Sequence, residues 1–377
     1  MRIASVCTSD IPSSKANAIQ VMKVMDSLLA LDHQVRLWSP GESVQTGAYL
    51  NQLYGVERIP QLTWVESRPK WKRYDFILQS FLQVYLWKPD LLYTWTLQTA
   101  VLGLIFNLPV ILELHDRTTG KIGKRAFRYF IKHKGKKRLL VITRALKMAL
   151  EQEHGIDLSN DDVSIAPNGI DLRQYPVVLN PSEARDQLNL PQQFTAVFTG
   201  HFYAGRGIEL LFGLAQSLPQ IQFLWVGGTE DAVASWQQRL NVAGIKNVIL
   251  TGFVPQQKLP LYQSAGDVLL MPYGAQIAGS SGGNSVDICS PMKMFDYLAT
   301  GRPILSSDLP VLYEVLSKGN TVFCPPKEIQ IWADQLQRLF DDPDQCQRMG
   351  AHARELSHHY SWIDRTKSAL EGFDAAD

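Results

Sequence analysis

The chain has 377 residues, 45% hydrophobic and 19% charged, and 37 Lys/Arg against 36 Asp/Glu leave a formal net charge of +1. That length exceeds one compact core and argues for two domains, while the charge balance excludes a general polyanion binder, so nucleic acid is not an expected partner. Four scattered cysteines (Cys7, Cys289, Cys324, Cys346) without a CxxC pair exclude a disulfide framework and a structural zinc site, and no run of 18 apolar residues predicts a membrane span. The opening "MRIASVCTSD" lacks the parts of a secretion signal, so a cytoplasmic protein is expected.

Short apolar runs alternate with helical patterns almost throughout. The first half holds "RIASVCT", "VRLWSP", "LLYTWT", "VILELHD", "LLVIT" and "VSIAPNG"; the second holds "AVFTGH", "QFLWVGG", "VILTGF", "VLLMPY", "PILSSD" and "TVFC". Continuous apolar runs suit parallel strands buried on both faces, with helices as crossovers. The expected fold class is therefore α/β, as two Rossmann-like doubly wound domains of about six strands each. Pro167 and Gly169 in "APNGIDLRQYPVV" mark the boundary, giving domains over 1–171 and 172–359 and a last amphipathic helix from about 360 to 377.

The first loop, "SDIPSSKANAIQ", offers Ser13, Ser14, Lys15 and Asn17 at the carboxyl edge of the first strand; it also fits a plain capped helix start. "ELHDR" puts His115 at the same edge of a later strand, where ligands of α/β sheets collect, although a lone histidine there is more often structural. Arg117 to Arg138, "RTTGKIGKRAFRYFIKHKGKKR", holds ten Lys/Arg, one His and no acid, with "AFRYFI" as apolar anchors. Such a stretch fits a helix on an anionic membrane surface, or a solvated basic face near an anionic substrate.

In "TGHFYAGRGIELL", Gly200, Gly205 and Gly207 link a strand to a helix start, a general phosphate cradle to which His201 and Arg206 add donors. The spacing is not G-x-G-x-x-G, so a nicotinamide dinucleotide is not expected, and a Gly-rich turn alone is also just a tight connection. After "VLLMPY", the glycines Gly279, Gly282 and Gly283 and their serines form a loop, and Pro291 then suits the first turn of a helix. The amides of Ser290, Pro291 and Met292 at that helix start, with Lys293 one turn in, suit a diphosphate; Asp296, on nearly the same face, suits the hydroxyls of a ribose. Gly301 ends the helix and Pro303 enters the next strand. By itself the segment equally fits a surface helix with a proline start and a glycine stop. Asp341, Asp342 and Asp344 around Pro343 read as turn and cap residues, and no metal site is expected.

Taken together, "VITRALKMALEQEHGI", "DDVSIAPNGID", "FTGHFYAGRGIELL", "FLWVGG", "VILTGFVPQQKLPLYQSAGDVLLMPY" and "SPMKMFDYLATGRPILSSD" resemble, in order and spacing, the family 4 glycosyltransferases of the GT-B fold. The resemblance covers nearly the whole chain and is strongest from about 139 to 326. It implies two Rossmann-like domains facing across a cleft. The C-terminal domain would hold a UDP- or GDP-sugar, the N-terminal domain the acceptor, and the last helix would return to the N-terminal domain. Asp296 would be the second acid of a pair and bind the ribose, Arg206 and Lys293 would face the diphosphate, and His115 would lie beside the donor sugar. It further implies a retaining transfer with no covalent protein nucleophile, no metal and no cofactor beyond the nucleotide-sugar.

Three departures stand out. The first acid of the pair falls on Ile288, next to Asp287, which a one-residue shift would substitute; His201 replaces the usual Arg; and Ser13-Ser14-Lys15 replaces a Gly-Gly pair. The expected acceptor is a lipid or lipid-linked glycan. A nucleotide-sugar 2-epimerase, or an inactive donor-binding partner of another transferase, would use the same scaffold.

Overall fold

The structure is a computed structural model that describes residues 1–41, 46–71, 73–160, 162–203, 205–276 and 284–373. The chain forms two compact units, Met1–Asn168 with Trp362–Asp377, and Gly169–Ser361.

The first unit runs β1 (Arg2–Val6), α1 (Ala16–Ala30), β2 (Gln34–Pro40), α2 (Gly47–Tyr54), β3 (Gln61–Val65), α3 (Tyr74–Trp87), β4 (Leu91–Thr94), α4 (Leu97–Ile105), β5 (Val110–Leu114), α5 (Gly120–Lys132), β6 (Lys137–Val141), α6 (Arg144–His154) and β7 (Val163–Ile165). The second runs α7 (Pro181–Gln187), β8 (Thr195–Thr199), α8 (Ile208–Ser217), β9 (Gln222–Val226), α9 (Glu230–Val242), β10 (Val248–Gly252), α10 (Leu259–Ser264), β11 (Val268–Met271), α11 (Met292–Ala299), β12 (Ile304–Ser307), β13 (Thr321–Cys324), α12 (Ile329–Asp341) and α13 (Pro343–Ser357). The last helix, α14 (Trp362–Leu370), belongs to the first unit and packs on α1.

The sheets are ordered β3-β2-β1-β4-β5-β6-β7 and β10-β9-β8-β11-β12-β13, with parallel pairings throughout both. Both are doubly wound. Their strand order reverses between β1 and β4 in one and between β8 and β11 in the other, and ligands of open parallel sheets bind outside the carboxyl ends at such points. The central strands are buried on both faces, as their unbroken apolar sequences require: β4, β5, β8, β9, β11 and β12 contain no exposed residue. Trp38, Tyr93 and Phe76 anchor the first core, and Phe198, Trp225 and Trp332 the second.

Two expectations need correction. The first sheet has seven strands rather than six. The additional one, β3, is the edge strand "QLTWV", only half-buried and entered from Pro60, so it lacks the apolar run that marks its neighbours. Pro291 is not inside its helix: with ψ at 125° it caps α11, which starts at Met292. The glycines Gly279, Gly282 and Gly283 lie outside the described residues.

Candidate active site

In the second unit the loops after β8 and β11 leave adjacent strands at the point of order reversal. Three glycines let them press together. Gly207 has φ +77°, and a Cβ there would stand 1.7 Å from the carbonyl oxygen of Pro272. A Cβ on Gly227 would meet the Gly200 oxygen at 2.1 Å. Gly205, at φ +82°, accepts from the Gly274 amide at 2.9 Å. The loop from Gly200 to Gly207 is thus clamped between the exits of β9 and β11, and it delivers Arg206 to the mouth of the site.

Arg206 lies over the Tyr273 ring, with its Cζ 5.6 Å from the centroid. Lys293, in the first turn of α11, stands over the same ring at 5.6 Å and over Phe198 at 4.0 Å. Its Nζ would be 2.9 Å from a Cβ on Gly200, so the ammonium rests on that glycine. Arg206 and Lys293 therefore share one aromatic platform. Among the described residues neither forms an ion pair. Burial, and then the nearby Arg206 cation, push the Lys293 ammonium well below its usual range, while Asp296 pulls the other way. Two cations held together at the N-termini of α8 and α11 make a site suited to an anion.

The surroundings fix this arrangement. The Tyr297 hydroxyl, on α11, accepts from the Thr199 amide at 2.9 Å and donates to the Leu270 carbonyl at 3.3 Å, tying the helix to the ends of β8 and β11. Burial holds the Tyr297 and Tyr273 hydroxyls protonated. Ser290 is buried beside Pro291 and Met292 at the mouth of α11. His201 stacks on Tyr203, centroids 4.9 Å apart. Ile288 is fully buried, whereas the neighbouring Asp287 is exposed. Burial raises the Cys289 thiol to about 11, with Asp287 adding to and Arg206 opposing the shift. Thus Gly200, Gly205, Arg206, Lys293 and Asp296 gather at one sheet edge, with Asp287 at its outer rim.

In the first unit His115 follows β5 and its Nε2 lies 2.7 Å from Glu113 Oε1. Glu113 is the centre of a buried network that the sequence did not reveal. It accepts from Gln20 of α1 at 2.7 Å, from the Tyr93 hydroxyl, and from Arg365 of α14 at 2.6 and 3.3 Å. Burial alone would raise this carboxyl; Arg365 and then His115 overcome it and bring it down to about 2. Arg365 also donates to the carbonyls of Ala166 and Pro167, so α14 is locked to the end of the unit's last strand segment. The hint available was an acid in the middle of "VILEL", a strand with no exposed residue, which requires a cation from elsewhere.

Ser14 lies in the β1–α1 loop, Lys15 is the N-cap of α1 and Asn17 is in its first turn, beside the β1–β4 reversal. Lys15 and Asn17 are exposed, and the Lys15 amide donates to Ser13 Oγ at 3.1 Å. Of the basic segment, Lys124 pairs with Glu153 at 2.9 Å, Lys137 with Asp162 at 3.2 Å, and Arg138 donates to the Ser368 and Ala369 carbonyls of α14. Arg128 donates to the His154 carbonyl at 3.3 Å, and Lys121, Arg125 and Lys132 are exposed on the outer face of α5. No helix among the described residues is long and apolar enough to cross a membrane.

Two doubly wound parallel units, the second with a cationic site at its reversal point, define the GT-B class of glycosyltransferase folds. The profile "Glycosyltransferase Family 4" matches residues 18–174, and "Glycosyl transferases group 1" matches residues 193–342. The chain belongs to this glycosyltransferase family. The HepE protein of Anabaena, solved in complex with UDP and glucose, superimposes with a TM-score of 0.75 at 16% identity, over 100% of both chains. A D-inositol 3-phosphate glycosyltransferase of Pseudarthrobacter chlorophenolicus is 24% identical over 251 residues, 64% of this chain and 56% of the relative. An alpha-galactosylglucosyldiacylglycerol synthase of Streptococcus pneumoniae is 24% identical over 181 residues, 46% of this chain and 45% of the relative. The aligned part of the chain spans about half the length of these curated relatives.

Proposed function

We propose that the protein is a retaining glycosyltransferase that moves a sugar from a nucleotide-diphosphate sugar to an acceptor hydroxyl. One observation carries the reading: Arg206 and Lys293 repel each other on a shared aromatic platform between two helix N-termini, with no ion-pair partner among the described residues. A diphosphate relieves that repulsion and satisfies the amides at the same time. UDP is the preferred nucleotide, since HepE, of the same fold, was solved with UDP and glucose.

In this reading Gly200, His201 and Gly205 shape the phosphate loop, and the amides at Ser290, Pro291 and Met292 face the phosphates. Asp296 takes the ribose hydroxyls, and Asp287 stands in for the carboxylate absent at Ile288. His115, its Nε2 held by Glu113, is assigned to the donor sugar. Ser14, Lys15 and Asn17 bind the acceptor. The anomeric carbon loses its bond to the diphosphate oxygen and gains one to the acceptor oxygen on the same face. The acceptor proton passes to the leaving diphosphate. Arg206, Lys293 and the two helix N-termini stabilise the charge that develops there, so the reading assigns this neutralisation to the chain rather than to a metal.

The acceptor is proposed to be a lipid or lipid-linked glycan reached at an anionic membrane surface. The outward Lys121, Arg125 and Lys132 of α5 support this, as does the aligned relative named for a diacylglycerol.

The test is incubation with UDP- and GDP-sugars, with and without glycolipid acceptors, followed by NMR of the product anomer. Transfer with retention is the expected result. Consumption of donor without acceptor would point to an epimerase, nucleotide binding without turnover to an inactive partner, and no binding of any nucleotide would remove the reading.

A further inference from the structure

Helix α3 carries an apolar face that the fold does not use. Its inner positions, Phe76, Ile77, Phe81 and Val84, are buried. On its other side Leu78, Leu82 and Leu86, spaced i, i+4, i+8 in one row, are 62%, 60% and 69% exposed. Tyr74 and Tyr85 flank the row and are also exposed, and no charged residue occurs from Phe76 to Trp87. Single exposed leucines are ordinary, but an aligned, charge-free row is not.

The two helices next in the layer carry exposed apolar residues as well. Helix α4 packs against both α3 and α5. At its end Phe106 touches Phe81 and Tyr85, with centroids 5.4 and 5.2 Å apart, and Ile105 and Phe106 are half-exposed. On α5, Ile122 (65% exposed) and Tyr129 lie on the α5 face that also bears Lys121, Arg125 and Lys132. Exposed Trp71 and Lys70 precede α3, and exposed Lys88 follows it. Leucines in the middle, Trp and Tyr at the margins and lysines or arginines around them are the chemistry of a helix lying in a bilayer interface. The cations select one occupant, a surface of anionic lipid, over a second copy of this chain, whose matching face would bring the same cations together.

We propose that α3 is a membrane-inserting element: its Leu78–Leu82–Leu86 row enters the headgroup–acyl boundary of an anionic bilayer, with α5 as the electrostatic partner. The inference rests on the membrane reading of α5 given above but adds an apolar, salt-resistant component to it. The test is sedimentation of the full chain with vesicles of phosphatidylglycerol and phosphatidylcholine in equal parts, and with phosphatidylcholine alone, at low and high salt. Wild type should bind the anionic vesicles and retain part of that binding at high salt. The double variant Leu82→Glu/Leu86→Glu should lose at least tenfold in partitioning, chiefly the salt-resistant part, with an unchanged melting temperature because both side chains are already in water. Lys121→Glu/Arg125→Glu should lose mainly the salt-sensitive part. Unchanged binding of the leucine double variant would overturn the proposal and leave the α5 reading standing. Absence of wild-type binding to any vesicle would overturn both. Vesicle-independent dimerisation that the leucine double variant abolishes would assign the face to a second copy instead.

Discussion

Replacing Lys293 with methionine separates binding from stability in one experiment. The Lys293 side chain, half-buried, stands beside a second cation, and burial of its ammonium and then Arg206 drive its pKa well below 10.5. Methionine keeps the length and the contact with Phe198 while removing the charge. Replacing this charge, which Asp296 offsets only in part, with an apolar group of similar volume should stabilise the ligand-free unit by about 1–2 kcal/mol. For a unit of this size that is a rise of ~3–6 °C in melting temperature. The sign with pH follows from the depressed pKa. Below the folded pKa both states bind the proton and the penalty is fully present. As pH rises from the folded pKa towards 10.5 the unfolded chain binds more protons than the folded one, so stability recovers across that window. Buried Tyr273, Tyr297 and Cys289 titrate in the opposite sense at high pH, so the informative quantity is wild type minus Lys293→Met, which isolates the lysine. The same variant should lose ~10–100-fold in UDP affinity, the value of one charge-assisted hydrogen bond. Differential scanning fluorimetry from pH 6 to 10, with and without UDP, reads both effects. A variant that melts lower than wild type yet keeps the full UDP-induced shift would refute the reasoning.

Arg206→Ala should lower turnover more than tenfold with little change in melting temperature; turnover near wild type would remove Arg206 from the diphosphate grip. Gly207→Ala should cost about 2–5 kcal/mol, from left-handed backbone strain and from collision with the Pro272 carbonyl, and should appear as a loss of denaturant midpoint. Arg365→Ala should destabilise the first unit by about 3–5 kcal/mol, because Glu113 is left buried without its cation. The Glu113 carboxyl is held down to about 2 from 4.5, so its contribution is complete above pH 4.5 and is lost as pH falls towards 2; circular dichroism melts over that range should show a loss on the order of 3 kcal/mol.

The architecture was legible because parallel strands buried on both faces have to be apolar runs, and twelve of the thirteen strands among the described residues were marked by such runs. The exception, β3, is a half-buried edge strand whose apolar residues are interrupted by Gln61 and Thr63, whereas the edge strand β10, no better buried, keeps the run VIL. The phosphate-loop glycines were legible for a related reason. Gly207 has φ +77° and no room for a Cβ, so the sequence must carry glycine there. The Arg206–Lys293 cluster could be anticipated only as two residues near two helix starts; that they share the Tyr273 ring is a property of the packed loops. The Glu113–Arg365 pair was hidden for a different reason. Its partners are 252 residues apart, and neither local pattern nor spacing names the cation that a buried acid requires. The α3 leucine row was hidden because a helix with apolar residues on both sides resembles a fully buried one until the neighbours are known.

The diphosphate site on Arg206 and Lys293 is tested by titration calorimetry of UDP into wild type and into Arg206→Ala/Lys293→Met, supported by melting curves. Wild type should bind saturably and gain ~2.7 kcal/mol of stability at one hundred times the dissociation constant, and the double variant should lose both. Equal binding by the two proteins, or no binding of UDP, GDP, ADP or their sugar conjugates to wild type, would rule that site out.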